Sequence, residues 1–119
     1  MTTKKAFLFS IKEREYNGDI VILDIIGEID IATTPELNAV FTNLTKQGKI
    51  KIIVNLKNVT YVSSSGWGLF ISLIKTIRNS NGDLKLVQLS PEVKVIFDMT
   101  SLFKLIPSYN TIEEAAEAF

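Results

Sequence analysis

Tyr61-Val62-Ser63-Ser64-Ser65-Gly66-Trp67-Gly68 joins a strand-like segment to a helix-like one, and that junction decides the fold class. Upstream, Ile50 to Val54 reads as a buried strand, and Val59 to Val62 approaches the core again before the serines. Downstream, Trp67, Phe70, Ile71, Ile74 and Ile77 recur at helical spacing, which predicts a long helix entered from Ser64-Ser65-Gly66 and ended near Asn81-Gly82. A strand that runs through a short polar loop into a helix is the unit from which α/β proteins are built.

Toward the amino end, Phe7, Phe9 and Ile11 alternate with Leu8, Ser10 and Lys12, as in an edge or half-buried strand. Asn17-Gly18 predicts a tight turn, because both residues tolerate positive φ. Ile20 to Ile26, interrupted only by Asp24, predicts a central strand covered on both faces, with Gly27-Glu28-Ile29-Asp30 leaving it as a loop. Thr34-Pro35-Glu36 predicts a helix start with a hydroxyl cap. The stripe Leu37, Val40, Phe41 and Leu44 follows, and Gly48 ends the helix.

Toward the carboxyl end, Leu84 to Leu89 predicts a strand, and Ser90-Pro91-Glu92 opens a helix with Val93, Ile96 and Phe97 facing inward. A short strand is expected near Leu105-Ile106, then a final helix from the capping box Thr111-Ile112-Glu113-Glu114. The order β-β-α-β-α-β-α-β-α implies one α/β domain over residues 1–119. A mixed central sheet of about five strands would carry about four α-helices.

Composition narrows the chemistry. The 119 residues hold 13 acidic and 13 basic side chains, so no net field draws the chain to nucleic acid or an anionic membrane. There is no Cys and no His, which removes disulfides, thiol nucleophiles, imidazole-activated serine and the usual zinc ligand sets. No Asp-rich cluster suggests a magnesium or calcium site, so neither a metal nor a cofactor is expected. The polar residues Met1 to Lys5 precede no signal-peptide core, and no apolar stretch approaches a membrane span. A reducing, cytoplasmic setting follows.

The serine loop remains. A helix amino terminus presents unpaired N–H groups and about half a positive charge, so it can hold an anion. Gly66 and Gly68 would let another molecule approach the backbone, yet no lysine completes a nucleotide-binding loop. A serine here is either a helix cap worth about 1 kcal/mol or a phosphoacceptor. The two roles are compatible. Glu28 and Asp30 read by themselves as a solvated turn.

Gly27-Glu28-Ile29-Asp30, Thr34-Pro35-Glu36-Leu37, Ser64-Ser65-Gly66-Trp67-Gly68, Leu89-Ser90-Pro91-Glu92-Val93 and Phe97-Asp98-Met99-Thr100-Ser101-Leu102-Phe103 occur in one register from about Ser10 onward. In that order they resemble the anti-sigma factor antagonists of the sulfate-transporter and anti-sigma-antagonist (STAS) domain family. The resemblance implies a STAS-like fold and a non-enzymatic partner switch. The unphosphorylated antagonist would bind an anti-sigma factor with serine kinase activity and so release a sigma factor for transcription. Phosphorylation would eject it, and a metal-dependent serine phosphatase would reset it. The phosphoacceptor implied is Ser65, with Ser64 and Ser63 as alternatives. The docking face implied comprises Gly27, Glu28, Asp30, Thr33, Thr34, Ser63, Ser64, Gly66 and Trp67. Phosphate beside Glu28 and Asp30 would add like-charge repulsion to the complex.

Three positions depart from the family pattern. Ser63 stands for the motif's Asp, Asn55 for a strand-end Asp, and Trp67 for a Leu. The alternative is a constitutive STAS subunit of a transporter- or stressosome-like assembly, with the serine loop as plain contact surface. An enzyme would have to be built on Glu28, Asp30, Glu92 or Asp98, and no pair of these has a recognisable spacing.

Overall fold

Asn17 and Gly18 both take positive φ and fold β1 (Ser10–Tyr16) back on β2 (Ile20–Ile29) as an antiparallel hairpin. The computed structural model describes residues 8–119. After the hairpin come α1 (Thr34–Lys46), β3 (Lys51–Val62), α2 (Ser64–Asn79), β4 (Asp83–Val87) and α3 (Pro91–Met99). A 3₁₀ turn (Leu102–Lys104), β5 (Ser108–Tyr109) and α4 (Ile112–Glu117) complete the described chain. β2 to β5 are parallel, and the sheet order is sequential, β1-β2-β3-β4-β5. The expected mixed five-stranded sheet with four α-helices is the fold observed.

Sequential order has a geometric consequence. Crossovers between parallel strands are right-handed, so a sheet that always advances in one direction collects its crossover helices on one face. Val21, Leu23, Ile25, Ile52, Val54, Leu84 and Leu86 point to that face. They pack with Leu37, Phe41, Phe70, Ile74, Ile77, Val93 and Phe97 from α1, α2 and α3. The opposite face carries a smaller cluster, Ile20, Ile22, Ile53 and Val87, covered by Ala115 of α4. The same advance brings the β2–α1, β3–α2 and β4–α3 loops together at the carboxyl ends of the parallel strands.

Where the opposite face lies beyond α4, the strands carry polar groups instead. Arg14 Nε donates to Asp24 Oδ2 at 2.6 Å, Asn55 Nδ2 donates to Asp24 Oδ1 at 2.9 Å, and Lys57 N–H donates to Asn55 Oδ1. The Arg14 hydrogen bond, supported by Asn55 against the cost of burial, holds the Asp24 carboxyl below its usual range. This explains Asn55: a carboxylate there would face Asp24. Asn55→Asp is expected to destabilise the fold by about 1–3 kcal/mol at neutral pH. Two facing carboxylates raise one pKa of the pair, so the loss is full above that raised value. It fades as the pH falls through it. Denaturant melts at neutral and acid pH will read the narrowing gap.

Several elements differ from the sequence reading. β1 starts at Ser10 rather than near Phe7, which lies outside the described residues; Leu8 is exposed and Phe9 packs on the core. Gly27, Glu28 and Ile29 are strand, not loop: they pair with Val59, Tyr61 and Val62, and Gly27 at φ 113 absorbs the irregularity in the register. β3 therefore runs unbroken to Val62. Thr33, not Thr34, is the N-cap of α1, and its hydroxyl does not cap it. In α3 only Val93 and Phe97 face inward, since nine residues bury one i, i+4 stripe and leave Ile96 exposed. No strand forms at Leu105-Ile106. Ile106 N–H is spent on Leu102 O, and pairing with β4 begins only at Pro107 O.

Candidate functional site: the serine cap of α2 and its neighbouring loop

Ser63 leaves β3 with extended backbone (φ −77, ψ 172) and caps α2, its Oγ accepting from Gly66 N–H at 3.2 Å. Its own N–H donates to Ile29 O at 2.8 Å, which ties the serine loop to the end of β2. Ser63 Oγ lies 2.7 Å from Ser65 Oγ, so the two hydroxyls share a hydrogen bond. Ser64, the first residue of α2, is exposed, and its hydroxyl has no hydrogen-bond partner among the described residues. No acidic residue lies in the first turn of α2. The positive end of the helix is thus lined by three neutral hydroxyls, and a negative group added there is favoured by the dipole.

The glycines of the motif divide. Gly66 is buried, and a Cβ there would stand 2.8 Å from Val62 Cγ1 and 2.9 Å from Ile29 Cγ2. Gly66 lets α2 sit on the strand ends and offers no backbone to a partner, contrary to the sequence reading. Gly68 faces open space. Trp67 is also reassigned: it is 6% exposed and packs on Phe70 and Phe97 with ring centroids 6.0 and 5.7 Å away. It fills core and cannot act as an exposed anchor. Its Nε1–H is buried without a hydrogen-bond partner among the described residues, a cost of about 1–3 kcal/mol.

The neighbouring loop is held from within. Asp30 Oδ1 accepts from Ala32 N–H and Thr33 N–H, while Thr33 Oγ1 accepts from Asp30 N–H and donates to Glu28 O. Thr34 N–H donates to Asp30 O as α1 begins. Asp30 and Thr33 therefore shape the loop, and Gly27 meets Leu8 and Phe9 closely. Glu28, half-buried, makes no side-chain hydrogen bond or ion pair among the described residues. It lines a groove of about 440 Å³ with Leu8, Ile26, Ala32, Thr33 and Thr60.

Of the residues named from sequence, the structure brings together Glu28, Asp30, Thr33, Thr34, Ser63, Ser64 and Ser65 at the ends of β2 and β3. Sequence reasoning missed Ile31, 81% exposed in the middle of this loop, and Tyr61, 53% exposed beside Glu28. The signal for Ile31 was a bare aliphatic inside a polar turn. Among the described residues no group of three or more acidic, His or Cys side chains could hold a metal ion. No helix there is long and apolar enough to cross a membrane.

Comparison with known proteins agrees with this geometry. The chain is 36% identical over 80 residues to the anti-sigma-B factor antagonist of Staphylococcus aureus strain NCTC 8325 / PS 47, covering 67% of this chain and 74% of that one. It is 33% identical over 90 residues to the anti-sigma-B factor antagonist of Staphylococcus epidermidis, covering 76% and 83%. Its fold matches the 1.59 Å crystal structure of a candidate anti-sigma factor antagonist from Thermotoga maritima with a TM-score of 0.80, 29% identity and 92% of both chains covered. The model of the STAS domain matches residues 12–115. With that match, and with the sheet and serine cap described above, the chain belongs to the STAS domain family.

Proposed function

We propose that the chain is a cytoplasmic anti-sigma factor antagonist, a binding protein rather than an enzyme, switched by phosphorylation at the cap of α2. Unphosphorylated, it binds an anti-sigma factor with serine kinase activity and frees the sigma factor for transcription. Phosphorylated, it is released until a metal-dependent serine phosphatase removes the group. The observation that carries this reading is the neutral, exposed hydroxyl cap beside the Glu28–Thr33 loop, together with relatives named anti-sigma-B factor antagonists.

Geometry also bears on which serine accepts. The motif pointed to Ser65; both serines are exposed, but Ser65 Oγ shares a hydrogen bond with Ser63 Oγ, whereas Ser64 Oγ shares none among the described residues. Both oxygens keep a lone pair, but a hydroxyl with no hydrogen bond to give up turns more freely toward a γ-phosphate, so we take Ser64 as the acceptor and Ser65 as the alternative. In the transfer its oxygen bonds the γ-phosphorus, the bond to the bridging oxygen breaks, ADP leaves, and the hydroxyl proton passes to a base on the kinase. The test is phosphosite mapping by mass spectrometry after incubation with ATP and the anti-sigma kinases of the same genome. Phosphate should appear on Ser64, vanish in Ser64→Ala and persist in Ser65→Ala. Phosphate surviving Ser64→Ala would return the role to Ser65.

Ser63 supports a second reading, a constitutive STAS subunit, because it lacks the charge of the family's Asp at that position. A stable partner complex with no phosphate on Ser63, Ser64 or Ser65 would establish it.

A further inference from the structure

Away from the serine cap, α3 and the 3₁₀ turn expose an apolar surface that the switch does not use. Val95, Ile96 and Met99 occupy one flank of α3 at i, i+1 and i+4, and are 54, 45 and 76% exposed. The 3₁₀ turn packs against α3, and Phe103 and Leu105 extend the surface at 51 and 54% exposure, their neighbours Leu102 and Ile106 being buried. We infer that this surface is a homodimer interface: it docks on the same surface of a second copy of the chain.

The size fits that occupant. At roughly 150–250 Å² for a fully exposed large side chain, the five leave about 500 Å² in water, toward the top of the range for the largest patch on a monomer. Two copies face to face would remove about 1,000 Å². That is the apolar share of a standard interface of about 1,600 Å².

Charge points the same way. An isologous contact sets a patch against itself, so its rim must not carry a net charge. The charged residues of this segment are Glu92, Lys94, Asp98 and Lys104, two of each sign, with Lys94 and Asp98 already paired at 3.3 Å. A partner of strong opposite charge would find nothing to select. A second copy meets no repulsion. The inference is independent of the proposed switch, since it uses none of the serine-loop residues.

Sedimentation equilibrium of the full chain over a concentration series tests it. The wild type should show a reversible monomer–dimer equilibrium. Met99→Glu, at a side chain 76% exposed and outside the core, should weaken association at least about tenfold, with the melting temperature unchanged at concentrations where both proteins are monomeric. Val95→Glu should repeat the effect, and Ile31→Glu, at an equally exposed aliphatic elsewhere, should leave association intact. A wild type that stays monomeric at high micromolar concentration overturns the proposal, as does a dimer indifferent to both patch variants. If the monomeric protein instead loses its anti-sigma complex on Met99→Glu, the surface belongs to that partner and the homodimer is excluded.

Discussion

Phosphate on Ser64 should weaken the complex with the anti-sigma kinase by about a hundredfold or more, and Ser64→Asp by at least about tenfold. The surroundings of the hydroxyl set this effect. Ser64 opens α2 in a turn without acidic residues, so the free antagonist tolerates the added charge and is if anything stabilised by about 0.3–1 kcal/mol through the helix dipole. In the complex the same charge must be desolvated beside the Asp30 loop and whatever acidic groups the partner presents. The penalty thus falls on binding alone. Calorimetry with the purified partner should show Ser64→Ala binding like the wild type and Ser64→Asp binding weakly, while Ser64→Asp melts no lower than the wild type and at most about 4 °C above it. Ser65→Asp separates the two serines: its carboxylate can still accept from the Ser63 hydroxyl, and it places the charge at the cap rather than at the free position. If Ser65→Asp weakens binding and Ser64→Asp does not, the acceptor is Ser65. If neither does, the electrostatic switch is wrong.

The second large effect is on stability. Gly66→Ala should cost about 2–3 kcal/mol and lower the melting temperature by roughly 8–12 °C. The new methyl would meet Val62 Cγ1, Ile29 Cγ2 and, at 3.1 Å, Ile29 O. Val62 and Ile29 are both β-branched and buried, so neither side chain can swing aside. Relief requires α2 to lift from the strand ends, which would also pull Ser63 N–H from Ile29 O and disturb the serine cap. Gly68→Ala, two residues later, should act in the opposite direction. Its Cβ would enter open space within a helix, for a gain of about 0.5–1 kcal/mol. A thermal melt of the two variants against wild type reads both signs. Similar behaviour of the pair would refute the packing account of Gly66.

Much of this molecule was legible in the chain itself because its signals are local. The Asn17-Gly18 turn, the Leu37/Phe41/Leu44 stripe of α1, the long helix from Ser64 and the caps at Ser90 and Thr111 each depend on residues within a turn or two of one another. Their order alone implied a sheet carrying crossover helices, and the quoted motifs resembled those of the family. Pairing across the sheet was not local. Gly27 to Ile29 looked like a loop because glycine and acids interrupt an aliphatic run. They are strand because Val59 to Val62 lie alongside and satisfy their backbone. Packing was likewise beyond the sequence: Trp67 and Gly66 sit in a motif that reads as surface, yet the approach of α2 to β2 and β3 buries both. Which of the adjacent hydroxyls shares a hydrogen bond also needed coordinates, because a helix turns about 100° per residue and points neighbouring hydroxyls in different directions. Local chemistry determined the elements and their order. Which side of each element meets solvent, and which hydroxyl is left free, depended on contacts between residues some thirty positions apart, and only the folded chain has those.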